Sequence, residues 1–226
     1  MSNIVDYLLI GNSRLHWASK QNYNYKFAHT LKDESLPENI DFNKLIWASV
    51  GNYYPNNLLK KNQVTLKNES FKNIPNNLGI DRALVCFAAT RIITNNFKKN
   101  LLIVDLGTTV SMTKIDYRGN ILGGQLFPGF TTQLKSMEEN TKNLFFPHKL
   151  FIPDDKFEIS TMHAMLRGVY SSISGAIKLS FDRNKDILIL CGGDANLIGN
   201  SLKKEIKDFI IEPNLVMYGM IFLNNK

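Results

Sequence analysis

A carboxylate, a glycine and two hydroxyls follow one another where a buried strand is predicted to end. Asp105 closes the apolar run 101–104, and Gly107, Thr108 and Thr109 come directly after it. A glycine lets backbone N–H groups approach phosphate oxygens, hydroxyls donate to phosphate, and a carboxylate holds a cation directly or through water. The stretch therefore indicates a phosphate and cation site, although an ordinary hairpin with a polar turn has the same composition.

The same arrangement occurs once earlier in the chain. Residues 11–13, Gly-Asn-Ser, follow an apolar run and precede a second strand-like stretch. When Gly11 is aligned with Gly107, Leu9 falls at the position of Asp105. Two copies of one hairpin predict a duplicated module.

This duplication resembles the α/β fold of the acetate and sugar kinase, Hsp70 and actin superfamily. The resemblance implies two duplicated ribonuclease-H-like modules, the actin-like ATPase fold, with a nucleotide cleft between them. We expect residues 1–98 to form the first module and residues 99–226 the second.

The elements that must position these turns are predicted from periodicity and turn residues. Strands are expected at 5–10, 14–18, 23–29, 45–50, near 64–66, and at 101–104, 110–115, 121–127 and 187–190. Helices are expected at 78–94, 130–143, 160–181 and 214–223. Stretch 31–44 is expected to be helix-like or a loop, and stretches 51–78 and 145–157 are expected to be largely loops.

Composition excludes several classes of protein. The chain has 226 residues, 44% of them hydrophobic, and the net charge of +7 is spread over short basic pairs such as Lys60-Lys61. The basic residues form no arm or aromatic-interleaved patch, so we expect a solvated surface and no nucleic-acid partner. No run of eighteen apolar residues is present, and the N-terminus lacks a basic leader, so we expect no membrane span or signal peptide. Cys86 and Cys191 fit reduced core thiols of a cytoplasmic protein.

A second polar cluster opens the helix predicted at 78–94. Gly79, Ile80, Asp81 and Arg82 stand at its first turn. Asp81 could accept a proton or orient a hydroxyl, and the Arg82 guanidinium could grip a carboxylate or phosphate with two bonds. An aspartate that merely caps the helix is the alternative.

Two further stretches have both a structural and a functional interpretation. The long apolar face over 162–177 fits core or a subunit interface. Gly192 and Gly193 follow a buried strand, which fits either close approach of a nucleotide or a plain strand-to-helix turn.

Taken in order, these motifs resemble the type III pantothenate kinase family over nearly the whole chain. The matching motifs are Gly11-Asn12-Ser13 with Trp17, Gly79-Ile80-Asp81-Arg82, Asp105-Leu106-Gly107-Thr108-Thr109, Gly119 with Gly123-Gly124 and Pro128-Gly129, Thr161-x-x-Ala164-x-x-x-Gly168, Gly192-Gly193, and Leu215-Val216 with Gly219.

The resemblance implies a reaction and a set of site residues. ATP with Mg2+ would phosphorylate the primary hydroxyl of pantothenate, giving 4'-phosphopantothenate in the first step of coenzyme A biosynthesis. Asp81 would be the catalytic proton acceptor, and Asp105 would hold a monovalent cation, K+ or NH4+. The pantothenate contacts would be Gly79, Ile80, Asp81, Arg82 and Thr161, and the ATP contacts Leu9, Ile10, Gly11, Asn12, Ser13, Arg14, Leu15, His16 and Thr108. The family also implies a homodimer, which we expect to use the helix over 162–177.

Two positions depart from the family pattern. Leu9 stands where the first loop of the family has an acid that serves the magnesium arrangement, and Asp6 does not replace it by register. Lys72 stands where an aromatic is usual, and the neighbouring Phe71 is the expected substitute as a substrate contact.

These departures leave alternatives to a pantothenate kinase. One is a nucleotide-fold regulator or pseudo-kinase of the Bvg accessory factor type, and the presence of Asp81, Arg82, Asp105, Thr108 and Thr161 weighs against it. A phosphatase of the same superfamily is the other, and it does not explain the Gly79–Arg82 and Thr161 motifs.

Overall fold

The computed structural model describes residues 6–32, 40–51, 56–71, 74–93 and 98–224, and these form two compact units. The first unit holds the described residues up to 93 together with 119–121 and 214–224. The second holds 98–118 and 122–213. The C-terminal segment thus lies in the first unit, whereas the predicted range 99–226 placed it in the second. The division of the chain into duplicated modules at 1–98 and 99–226 stays a prediction.

Nine strands and five α-helices are described. The strands are β1 (Tyr7–Ile10), β2 (Arg14–Gln21), β3 (Asn24–Leu31), β4 (Ile46–Ser49), β5 (Asn100–Leu106), β6 (Thr109–Ile115), β7 (Ile121–Pro128), β8 (Asp186–Cys191) and β9 (Ile210–Ile211). The helices are α1 (Ile80–Ile92), α2 (Phe130–Asn140), α3 (Thr161–Ser180), α4 (Ala195–Leu202) and α5 (Leu215–Asn224).

The first unit is built on a four-stranded sheet with the order β3-β2-β1-β4. β1 is antiparallel to β2 and parallel to β4, and β2 is antiparallel to β3. Because side chains alternate between the faces of a strand, Leu8 and Ile10 pack with Trp17 and Trp47 on one face. Leu9 lies on the other face in the cluster that contains α1 and α5 side chains.

Helices α1 and α5 approach each other closely at one glycine. A Cβ added at Gly219 would lie 2.4 Å from the carbonyl oxygen of Leu84. Only glycine therefore allows this crossing, which fixes α1, and with it the polar first turn of α1, against the sheet.

The second unit is built on a five-stranded sheet with the order β7-β6-β5-β8-β9. β5 is antiparallel to β6 and parallel to β8. The four strands β7-β6-β5-β8 thus repeat the order of the first sheet, as expected for a duplicated module of this α/β class. The core of this unit includes α3 residues Leu166, Val169 and Ile173, all at most 1% exposed.

Some sequence predictions of elements were wrong. The stretch 64–66 is not a strand; the neighbouring Gln63 makes only an isolated bridge to Trp47. Helix α2 ends at Asn140 and not at 143, and α4 and β9 were not predicted. Among the described residues, no helix is long and apolar enough to cross a membrane.

Candidate active site

The turn after β5 carries the carboxylate that the sequence singled out. Asp105 is half-buried near the end of β5, where it stands in register with Ser111 of β6 and Cys191 of β8. Thr108 and Thr109 are exposed on the turn that follows. The acid and the hydroxyls therefore lie together at the tip of the β5–β6 hairpin, as predicted.

Two glycines from later in the chain press against this turn. Gly192 has a φ of +86°, and a Cβ there would lie 2.3 Å from Oδ1 of Asp105 and 2.7 Å from the carbonyl oxygen of Leu106. A Cβ at Gly129 would lie 1.8 Å from the carbonyl oxygen of Gly107. Both positions thus require glycine, and the backbone at Gly192 limits where the Asp105 carboxylate can lie.

Backbone hydrogen bonds hold the turn further. The carbonyl oxygen of Thr108 accepts the N–H of Gly129 at 2.9 Å and the hydroxyl of Thr132 at 2.7 Å. The N–H of Asp194, at the start of α4, donates to the carbonyl oxygen of Leu106 at 2.9 Å. The turn is therefore anchored through its carbonyl groups, while the hydroxyl of Thr108 lies on an exposed residue.

The donor set of this turn suits a hard cation. Asp105 supplies carboxylate oxygen and the threonines supply hydroxyl oxygen, the ligand type that K+ and Mg2+ share. No group of three or more His, Cys, Asp or Glu residues that could hold a metal ion occurs in the described part of the chain. The residues thus fit a cation that takes further ligands from a bound phosphate, as magnesium commonly does.

The first glycine turn has a different chemistry. The N–H of Gly11 donates to the carbonyl oxygen of Arg14 at 2.9 Å, and Asn12, Ser13 and Arg14 are exposed. Leu9 is 2% exposed, within the core. The side chains of Ile10 and Leu15 are buried as well, so these three predicted ATP contacts could act only through their backbone.

Asp6 does not lie where an acid of this turn would be needed. It accepts the N–H of Lys20 at 2.6 Å, at the opposite end of β1 from Gly11. Leu9 lies three residue steps along the strand from Asp6, a distance of about 10 Å. Asp6 therefore cannot supply the carboxylate that the first turn lacks at Leu9.

A histidine pair lies beside the first turn instead. His16 on β2 and His29 on β3 are in register, and their Nδ1 atoms are 2.8 Å apart. Nε2 of His29 is 3.0 Å from Oδ1 of Asn214, just before α5. Burial, the neighbouring His29 and the charge of Arg14 lower the pKa of His16 to about 4, so its ring is neutral at pH 7. Burial also lowers the pKa of His29.

The start of α1 places the predicted substrate motif on one turn. Gly79 is the N-cap residue of α1, and Oδ1 of Asp81 accepts the N–H of Arg82 at 2.8 Å. A Cβ at Gly79 would lie 2.5 Å from the same Oδ1. Asp81 therefore folds back over the first turn and caps one N–H from within the helix, and Ile80 is buried beneath it.

The other two predicted substrate contacts lie in different settings. Phe71 is 1% exposed and packs edge-on against Phe87, with ring centroids 6.0 Å apart. Thr161 is exposed as the first residue of α3. Lys72 lies outside the described residues. Substrate contacts by Phe71 and Thr161 stay predictions, and Phe71 has a clear structural part in the core.

Sequence reasoning missed three contributors to these sites: His29, Asn214 and Thr132. Each acts through a partner far away in sequence, namely His16, His29 and the carbonyl of Thr108. The Gly-Asn-Ser turn marks where β1 and β2 join, but the register of β3 that brings His29 to His16 has no local sequence signal.

Comparison with known proteins adds a family match to this geometry. The family model for type III pantothenate kinase matches residues 52–183. The chain is similar to the type III pantothenate kinase of Synechocystis sp., with 26% identity over 233 residues that cover 96% of this chain and 89% of that protein.

Solved structures are similar over nearly the full length. A Baf family protein from Campylobacter jejuni has a TM-score of 0.68 at 23% identity, covering 97% of this chain and 96% of that one. The activator of the 2-hydroxyisocaproyl-CoA dehydratase from Clostridium difficile has a TM-score of 0.54 at 13% identity, covering 99% and 95%. At these identities the likeness shows the fold, which is that of actin-like ATPases.

Proposed function

The chain belongs to the type III pantothenate kinase family, and from this premise we propose how its residues carry out the reaction. The enzyme is an ATP-dependent kinase that transfers the γ-phosphate to the primary hydroxyl of pantothenate. The product, 4'-phosphopantothenate, begins coenzyme A biosynthesis. The regulator or pseudo-kinase alternative is not favoured, because the curated relatives matched over most of the chain are pantothenate kinases.

Asp81 is the residue we assign to the reacting hydroxyl. Phosphoryl transfer depends mainly on positioning and charge neutralisation, so a carboxylate that orients the hydroxyl is the group the protein must supply. The observation that carries this assignment is the position of the Asp81 carboxylate over the first turn of α1. It accepts the N–H of Arg82 there, and Gly79 has no side chain that would displace it. The partial positive charge of a helix N-terminus also favours anionic groups there.

Arg82 and Thr161 are our proposed pantothenate contacts, with Gly79 and Ile80 as neighbours. A guanidinium binds a carboxylate with two parallel hydrogen bonds, which fits the carboxylate of pantothenate. Thr161 is exposed at the first turn of α3, where its hydroxyl can donate or accept. Phe71 is the further contact that the family resemblance implies, but because its ring is buried against Phe87 the proposal does not depend on it.

The two glycine turns are our proposed phosphate sites. Asn12, Ser13 and Thr108 are exposed polar residues on turns whose backbones are fixed by hydrogen bonds. Asp105 would hold K+ or NH4+, which would supply positive charge against the phosphates. Mg2+ would arrive with ATP, and Leu9 leaves the first turn without the acid of the family pattern.

Two further parts of the proposal concern the setting of the enzyme. We place it in the cytoplasm, where reduced thiols persist, because Cys86 and Cys191 are buried and form no disulfide. We also propose a homodimer. The predicted apolar face of α3 is largely used within the second unit, so this proposal depends instead on the exposed Phe157, Ile159 and Met162 at the start of that helix.

The test of the assignment to Asp81 is Asp81→Asn, measured as turnover and melting temperature. Loss of the acceptor charge should lower kcat by about a hundredfold to ten-thousandfold. The melting temperature should change little, because the Asn oxygen still accepts the N–H of Arg82 and only the interaction with the helix dipole is lost. A well-folded Asp81→Asn protein with near-normal turnover would show that Asp81 is only a helix cap.

Gly79→Ala is the matched variant, since it keeps the carboxylate but displaces it. The added Cβ must push Oδ1 of Asp81 away from its position, so turnover should fall here as well. Gly175→Ala is the control for glycine replacement, because a Cβ there meets no described atom within 4 Å and the residue belongs to none of the site motifs.

A further inference from the structure

Three polar side chains of the first unit, Asn214, His29 and His16, form a hydrogen-bonded chain from the residue before α5 to the first glycine turn. Oδ1 of Asn214 is 3.0 Å from Nε2 of His29, and Nδ1 of His29 is 2.8 Å from Nδ1 of His16. The remaining ring nitrogen, Nε2 of His16, faces the turn: a Cβ at Gly11 would lie 3.3 Å from it. The two rings meet edge-on, with centroids 5.0 Å apart.

The amide orientation sets the proton positions along the chain. With its oxygen toward His29 the Asn214 amide can only accept, so in this orientation Nε2 of His29 carries the proton and donates to Asn214. In a neutral imidazole the other nitrogen is then an acceptor, so Nδ1 of His29 accepts the proton of Nδ1 of His16. Nε2 of His16 is left as an acceptor. Burial is the main cause that lowers the pKa of His16 to about 4, so its ring is neutral at pH 7, and burial lowers the pKa of His29 as well.

The same two hydrogen bonds also form when every donor and acceptor along the chain is exchanged. If the Asn214 amide turns over, its NH2 donates to Nε2 of His29. Nδ1 of His29 then donates to Nδ1 of His16, and Nε2 of His16 carries a proton. The chain therefore has two neutral states that differ in whether His16 presents an acceptor or a donor to the Gly11 turn.

We propose that His29 and Asn214 are positioning residues that hold Nε2 of His16 toward the Gly11 turn, and that this nitrogen changes from acceptor to donor when a phosphate of ATP occupies the turn. The inference rests on the proposed function, which places ATP phosphates at residues 9–16. Phosphate oxygens need donors, and the first turn has an apolar Leu9 where a cation-holding acid would otherwise stand.

The change of state is balanced in protons. The proton on Nδ1 of His16 moves to Nδ1 of His29 along their hydrogen bond. Nε2 of His29 releases its proton to water, Nε2 of His16 takes one from water, and the Asn214 amide rotates. No net proton is taken up, so the imidazole pair gains a donor for the phosphate without becoming charged.

Nitrogen NMR of the imidazoles tests the inference in the unmodified protein. The chain has four histidines, and His16 is assigned from the signal lost in His16→Phe. In the free protein we expect the His16 proton on Nδ1, and on Nε2 with saturating Mg2+ and a non-hydrolysable ATP analogue. A proton that stays on Nδ1 while the analogue is bound overturns the inference alone. No binding of the analogue at all overturns the proposed function.

A kinetic variant tests the positioning itself. His29→Phe keeps an aromatic ring beside His16 but removes both of its hydrogen bonds, so KM for ATP should rise by about threefold to tenfold. KM for pantothenate should not change. Lys26→Ala, an exposed position on the other face of β3, is the control and should change neither constant. If His29→Phe leaves KM for ATP unchanged, or raises both KM values equally, the positioning assignment is wrong.

Discussion

At the scale of single residues, the proposed cation site depends on one carboxylate and the glycine beside it. Asp105→Asn removes the charge but keeps the shape, and the turn is still held through the carbonyl groups of Leu106 and Thr108. We therefore expect the melting temperature to be unchanged and the activation by K+ to fall by about tenfold to a hundredfold, the loss of a charge-assisted contact.

The measurement is the initial rate with K+, NH4+ or Na+ as the only monovalent cation. Asp155→Asn removes an exposed carboxylate of the same unit and should leave the cation response unchanged. Equal rates of the unmodified protein in K+ and Na+ would contradict the assignment of Asp105.

Residues of the site were predictable from sequence where the chemistry is local. Asp105, Thr108, Gly79 and Asp81 stand within short motifs, and the structure places each motif on a turn or a helix start, as predicted. His29 and Asn214 were not predictable, because they reach His16 only through strand register and the return of the chain at its C-terminus.

At the scale of elements, the crossing of α1 and α5 depends on Gly219. A Cβ there meets the Leu84 carbonyl group, which cannot move without shifting α1. Gly219→Ala should therefore lower the free energy of unfolding by about 1–3 kcal/mol, measured by urea denaturation.

Gly175→Ala is the matched control within a helix. A Cβ at this position of α3 meets no described atom within 4 Å, so only helix propensity changes. The free energy of unfolding should rise by about 0.5–1 kcal/mol. If both variants change stability equally, close packing at Gly219 is not what holds the crossing.

Length and periodicity explain which elements could be predicted. The apolar face of α3 repeats over twenty residues, so its existence and bounds were clear. Helix α4 has eight residues and β9 has two, too few for a period to show. The stretch 64–66 has the apolar residues of a strand, but the hydrogen bonds of its neighbours form turns around 60–62 and 69–71 instead.

At the scale of the whole molecule, the surface of α3 points to assembly. Most apolar residues of its predicted face are buried in the core of the second unit, including Val169 and Ile177. Phe157 and Ile159, which precede α3, and Met162 in its first turn are exposed. Large apolar side chains that are exposed close together in the chain fit an interface between proteins.

We expect light scattering to give twice the protomer mass of 25.7 kDa at micromolar concentration. Ile159→Asp puts a charge among these exposed apolar side chains without touching the core, so it should yield a folded monomer because a buried, unpaired charge opposes association. Asn200→Asp, an exposed position on α4, is the control and should stay dimeric. A stable monomer of the unmodified protein would refute the homodimer, and a dimeric Ile159→Asp variant would move the interface away from the start of α3.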